Sequence, residues 1–171
     1  SETQLQLRLP TERYYEEEGR AELTPRDFGI LMHRVFENAA TTDEIYMAIE
    51  AMTQDGVLDE KEAPRLRELV EKALADPVTA EWFGGRWQVV RNENEIILPG
   101  SGTTRRPDRV MTDGERAVVV DYKFGDRETA RHRKQIREYL RLLRQMGYTR
   151  TEGYLWYVRL GRTERVEEKE D

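Results

Sequence analysis

The dipeptide Asp113-Gly114 constrains the fold of this chain more than any other feature in it. It separates two strand-like runs, 105–112 and 115–123, the second carrying the β-branched core stretch Ala117-Val118-Val119-Val120. Asp-Gly between such runs is the strongest short-range hairpin signal. With Asp113 and Gly114 as the two turn residues, Thr112 faces Glu115, Asp108 lies opposite Val119 and Arg106 opposite Asp121. Side chains alternate along a strand, so 106, 108 and 110 share a face with 119, 121 and 123. Asp108, Asp121 and Lys123 therefore converge, the two aspartates as diagonal neighbours with Cα atoms about 7–8 Å apart. Val118, Val120 and Tyr122 point the other way, into a core. Two carboxylates and a lysine on an otherwise apolar sheet have two readings, because unpaired buried charge is costly. One is a plain ion pair at a strand edge. The other is a divalent-metal site with a lysine aimed at the substrate, its oxygen donors suiting Mg²⁺ or Mn²⁺.

Helical signals dominate the first half. Thr24-Pro25 places a capping hydroxyl before a proline at the first helical position, and Phe28, Leu31, Met32, Val35 and Phe36 follow at helical spacing. Thr41-Thr42-Asp43-Glu44 starts a second helix that ends near Gly56. A third runs from Asp59 to about Ala75, where Pro77 stops it. A strand is expected over Trp87–Leu98, then a loop at Pro99–Gly102. After the hairpin, 128–146 predicts a long helix closed by Gly147, with Ile136, Tyr139, Leu140, Leu143 and Met146 as its apolar stripe. Gly153–Leu160 predicts a last strand. The expectation is an α/β domain over 24–165. Residues 1–23, which open on Ser1 with no initiator methionine, are expected to be an extension or linker from a longer protein, and 166–171 an acidic tail.

Charge and composition narrow the function. The net charge of −6 conceals a split: residues 1–126 hold 16 basic and 26 acidic side chains, 127–165 hold 11 and 4, and 166–171 hold 1 and 4. An acidic chain with one basic block is compatible with a nucleic-acid partner approached from that block. The absence of cysteine removes disulfides, thiolate zinc sites, iron–sulfur clusters and a cysteine nucleophile. No glycine-rich phosphate loop encodes ATP hydrolysis. No apolar run approaches the ~20 residues that span a bilayer, and no signal peptide is evident. A cytoplasmic setting without membrane association is expected.

Pro107-Asp108 followed by Asp121-Tyr122-Lys123 resembles the PD-(D/E)xK nuclease signature. Two neighbours strengthen the likeness. Gly29-Ile30-Leu31-Met32-His33-Arg34-Val35-Phe36-Glu37 is similar to the GxxxHxxxE helix of the RecB-type branch, and Gln135-Ile136-Arg137-Glu138-Tyr139 to its QxxxY helix. Arg106–Met111 and the GYLWYV strand also resemble nuclease domains at the C-termini of AddA-like or UvrD-like DNA helicases. The resemblance implies a restriction-endonuclease-like mixed β-sheet flanked by helices, in the order helix, three strands, helix, strand, here with extra N-terminal helices. It implies metal ligands at His33, Asp108, Asp121 and the main-chain carbonyl of Tyr122, with Lys123 as the catalytic lysine. An acidic residue on the preceding strand is Glu93 or, second, Glu95; spacing does not separate them. The cysteine-bound iron–sulfur cluster of some relatives has no counterpart.

Each motif residue also has a plain reading. His33 lies on one helical face between Gly29 and Glu37. The glycine leaves room for a metal or phosphate, and Glu37 either orients the imidazole or forms a surface pair. Tyr139 sits on the apolar stripe, where it is either core or, with Gln135, a DNA contact. Gln135, Lys134 and Arg106 are candidates for DNA contact, and equally for a solvated face. The expected function is a Mg²⁺- or Mn²⁺-dependent deoxyribonuclease, an exonuclease, acting with a linked helicase in double-strand-break repair and recombination. The alternatives are a catalytically silent nuclease-like module that binds DNA or protein, and an interaction domain in which Asp108, Asp121 and Lys123 do not meet.

Overall fold

Helix caps divide the N-terminal half into elements. The structure, a computed structural model, describes residues 25–96, 106–125 and 130–169. Helix α1 spans Pro25–Phe36 and α2 Thr42–Gln54, the latter started by Thr41, whose hydroxyl accepts from the Glu44 N–H. Before α3 (Glu62–Ala73), Asp59 accepts from the Lys61 and Glu62 amides at 2.8 Å, while Glu62 reaches back to the Asp59 amide at 3.1 Å. Pro77 does not merely stop α3. Asp76 caps a further helix, α4 (Pro77–Trp82), in which Pro77 takes an early position where its missing N–H costs nothing.

Five strands follow: β1 (Val89–Asn92), β2 (Arg109–Asp113), β3 (Arg116–Lys123), β4 (Arg150–Tyr157) and β5 (Arg162–Val166), in that spatial order. All neighbours are antiparallel except β3 and β4. That parallel pair needs a crossover, which α5 (Ala130–Gln145) supplies. The first strand is shorter than 87–98: beyond Asn92 the chain tightens into a 3₁₀ turn, Glu93–Glu95, fastened by reciprocal Asn92 and Glu95 capping bonds. The predicted loop 99–102 and the start of the long helix at 128 lie outside the described residues.

The hairpin register differs from the expected one. Asp113 pairs with Arg116, Val110 with Val119 and Arg109 with Val120, so the loop is Gly114-Glu115. Gly114 has φ +60° and therefore occupies the first loop position, where hairpin turns favour glycine. The shift changes each cross-strand partner by two positions, which preserves the face of every side chain. Extended by one residue, it sets Asp108 level with Asp121 instead of diagonal to it.

Both faces of the sheet are buried. Met111, Val118, Val120, Tyr122 and Trp156 pack against α1–α4, with Phe36, Ile45 and Ile49 among the buried helix residues. Ala117, Val119, Leu155 and Tyr157 lie under Ile136, Tyr139, Leu140 and Leu143 of α5. Met146, predicted on that stripe, is 53% exposed just past the helix end. The last two strands also depart from the sequence reading: β4 begins at Arg150 because it runs alongside β3 from Arg116 onward, and β5 was not anticipated from the charged stretch RTERV. Among the described residues, no helix is long and apolar enough to cross a membrane.

Helix α5 sits tightly on β4 because position 153 is glycine. A Cβ there would lie 2.5 Å from Ile136 Cγ2 and 3.2 Å from both Leu140 methyls. Gly153→Ala would otherwise gain a little stability from lower unfolded-state entropy. Overlap dominates, and the variant is expected to lose about 1–3 kcal/mol, read as a lower urea midpoint. An unchanged or higher midpoint would show that the helix is not seated on this glycine.

Candidate metal centre

The ends of β2 and β3, the 3₁₀ turn and α1 meet at one point. Asp108, immediately before β2, is 5% exposed and Asp121 3%. Each carboxylate is anchored through one oxygen: Asp108 Oδ2 accepts from the Tyr122 N–H at 2.7 Å, and Asp121 Oδ1 accepts from the Asp108 N–H at 3.1 Å. Anchoring leaves Asp108 Oδ1 directed at His33, 3.3 Å from its Nε2. Asp121 Oδ2 lies 4.0 Å from Lys123 Nζ. The aspartates, lysine and imidazole are thus brought together, and Tyr122 ties the two strands through its amide.

Structure separates the two acidic candidates that spacing left open. Glu93 offers a carboxylate oxygen to a group with His33 and Asp108 in which all ligand atoms lie within 4.8 Å of one another. Glu95 instead spends its carboxylate on the Asn92 amide at 3.1 Å. Asp121 stands beside that group, linked to it through Asp108. The donor set fits a divalent cation: its carboxylate oxygens suit Mn²⁺ or Mg²⁺, and its imidazole nitrogen suits a first-row transition ion. Ligands ~2.0–2.1 Å from an octahedral ion lie about 3 Å apart when adjacent and about 4 Å when opposite. The His33–Asp108 separation of 3.3 Å is close to the adjacent span.

The helix motif is assembled around the imidazole. Glu37 Oε2 is 3.6 Å from His33 Nδ1 and its Oε1 accepts from Arg34 at 2.8 Å. Gly29 does not leave room for an ion: a Cβ there would lie 3.0 Å from the Phe124 Cβ, so the space belongs to that side chain. The α5 candidates are placed differently. Tyr139 is buried in the core under α5 and lines an apolar groove of about 280 Å³ with Val110 and Met146. Gln135 is half-buried, and Lys134 and Arg106 are exposed.

One buried residue was not foreseen. Arg109 is fully enclosed, its guanidinium donating to the carbonyls of Ala39, Ala40 and Trp82 and lying 4.0 Å over the Phe83 ring. Its position on the face of Met111 was legible from alternation, but nothing in the sequence marked what it binds.

The charges around His33 favour a protonated imidazole. Hydrogen bonding to Asp108 and then to Glu37 pushes His33 up to about 10 from its ordinary 6.5, against the effect of burial. Glu37 is correspondingly held below the usual carboxylate range by His33 and Arg34. A raised folded-state value means that this stabilisation is complete below about 6.5 and vanishes as pH rises through about 10. With a chelator present, the urea midpoint of the wild type should fall between these values more steeply than that of His33→Gln. Parallel profiles would contradict the pairing.

A comparison with curated proteins found no match to the chain. The family model described as the PD-(D/E)XK nuclease superfamily matches residues 3–171. That match, over nearly the whole chain, places the chain in the PD-(D/E)XK nuclease superfamily.

Proposed function

We propose that this domain is a divalent-metal-dependent DNA nuclease that hydrolyses phosphodiester bonds. The observation that carries the reading is the meeting of His33, Glu93 and Asp108 with Asp121 and Lys123. Asp108 and Glu93 supply anionic oxygens and His33 a nitrogen. Asp121 supports Asp108 and holds the Lys123 ammonium at the edge of the group. His33, Glu93 and Asp108 would hold a divalent cation, which would supply a water of lowered pKa and offset charge on the scissile phosphate. Lys123, an ammonium beside Asp121, orients the attacking water and offsets the negative charge that grows at the phosphate. The scheme needs no covalent intermediate.

The finer reading is an exonuclease that trims ends exposed by a linked helicase during double-strand-break repair. It is supported by the likeness of Arg106–Met111 and Gly153–Val158 to helicase-linked nuclease domains. It is also supported by the basic residues of 127–165, which include the exposed Lys134 and Arg141 of α5. A helicase domain delivering the strand would let an acidic chain act on DNA.

The test is cleavage of end-labelled linear DNA and of the same DNA closed into a circle, with Mg²⁺, Mn²⁺ or chelator. Metal-dependent loss of the linear form alone, absent in Lys123→Gln, is the expected result. Cleavage of the circle would remove the exonuclease assignment. DNA binding without cleavage under any metal would identify a silent module instead.

A further inference from the structure

His33 and Arg34 of α1 and Glu37, just past its end, form a relay. Glu37 divides its two oxygens: Oε1 takes the Arg34 guanidinium at 2.8 Å and Oε2 faces His33 Nδ1 at 3.6 Å. The ring's other nitrogen, Nε2, is the one turned to Asp108. Arg34 and His33 are neighbours in sequence, yet both reach Glu37, because i+3 and i+4 positions share a helical face.

We propose that Arg34 is a positioning residue for the metal centre, fixing the Glu37 carboxylate so that it holds the His33 ring with Nε2 toward the ligand group. The proposal rests on the reading of His33 as a metal ligand. As a contribution to stability, a helical ion pair with side chains 34% and 24% exposed is worth little. Its value is geometric. A glutamate with three rotatable bonds and an exposed edge can point its oxygens to water. Tethered at Oε1, it presents Oε2 to one place, and the imidazole is held from behind. Such outer partners are worth about 10–100-fold in metal affinity when they touch the ligand directly. Arg34 acts one step further out, so a loss of about 3–10-fold is expected on its removal.

The experiment is Mn²⁺ titration of the 171-residue chain, followed by electron paramagnetic resonance without DNA, for wild type, Arg34→Ala, Arg34→Lys, Glu37→Ala and the double alanine variant. Circular dichroism checks the fold of each. Positioning predicts that Arg34→Ala weakens Mn²⁺ binding about 3–10-fold, that Arg34→Lys recovers most of it, and that Arg34→Ala adds nothing once Glu37 is alanine. Wild-type affinity in Arg34→Ala would overturn the proposal, as would losses that multiply in the double variant. If Arg34→Ala instead raises only the KM for DNA, the guanidinium contacts phosphate and the relay is wrong. A wild type that takes up no Mn²⁺ removable by Asp108→Asn would bring down the metal reading itself, and the proposal with it.

Discussion

Asp108→Asn is expected to lower metal-dependent cleavage by about 10³-fold or more, equivalent to about 4 kcal/mol of transition-state stabilisation. The size follows from the way the carboxylate is used. Oδ2 is committed to the Tyr122 N–H at 2.7 Å, while Oδ1 faces His33. Asparagine has one acceptor oxygen. If it keeps the Tyr122 bond, its NH₂ group turns toward His33 and the cation, replacing an anionic ligand with a donor. If it turns the other way, the Tyr122 amide is left without its acceptor and the junction of β2 and β3 loosens. Either rotamer removes one negative charge from the ligand group. The volume is unchanged, so the fold should persist. Single-turnover cleavage at saturating Mg²⁺, with folding checked by circular dichroism, measures the loss. A rate within threefold of wild type would show that Asp108 is a structural residue.

Arg109→Met is expected to cause the largest loss of stability of any single substitution discussed, about 3–5 kcal/mol. Two of the carbonyls it satisfies, those of Ala39 and Ala40, follow the end of α1, and the third belongs to Trp82, the last residue of α4. The Trp82 carbonyl, at the end of α4, has no intrahelical partner, and those of Ala39 and Ala40 lie in the connection between α1 and α2, outside either helix. Burial disfavours the guanidinium and lowers its pKa, which is the opposing term. It does not prevail, because the methionine variant leaves three buried carbonyls facing a thioether, at roughly 1–3 kcal/mol for each unsatisfied group and less than additively. With about 2–4 °C per kcal/mol for a domain of this size, the melting temperature should drop by about 10 °C. Arg109→Lys should not recover it, since one ammonium cannot span the fork that reaches three carbonyls. A shift under 2 °C would mean that α1 and α4 are held without it.

Much of this was readable from local signals, and the departures have identifiable causes. The helices at 25–54 were marked by Pro25 and Thr41 and by apolar spacing. The convergence of Asp108, Asp121 and Lys123 was readable because it depends on the parity of the register, and the turn moved by an amount that preserved parity. Which glycine position the turn would use was not readable, since it depends on the backbone angle of Gly114. Strand β5 has no apolar alternation and exists because β4 offers an edge and Arg133 pairs with Glu164. Helix α4 was concealed by Pro77, which ends one helix and begins another. Glu93 and Glu95 became distinguishable only once Asn92 claimed one of them.

Anomalous scattering from a crystal of the chain soaked in Mn²⁺ tests the account at its centre. The expected result is a peak within about 2.0–2.3 Å of a carboxylate oxygen of Asp108, with Glu93 and His33 Nε2 completing the protein ligands and Lys123 alongside. A crystal saturated with Mn²⁺ in which the peak lies elsewhere, while His33 and Asp108 remain in their direct 3.3 Å contact, would contradict it.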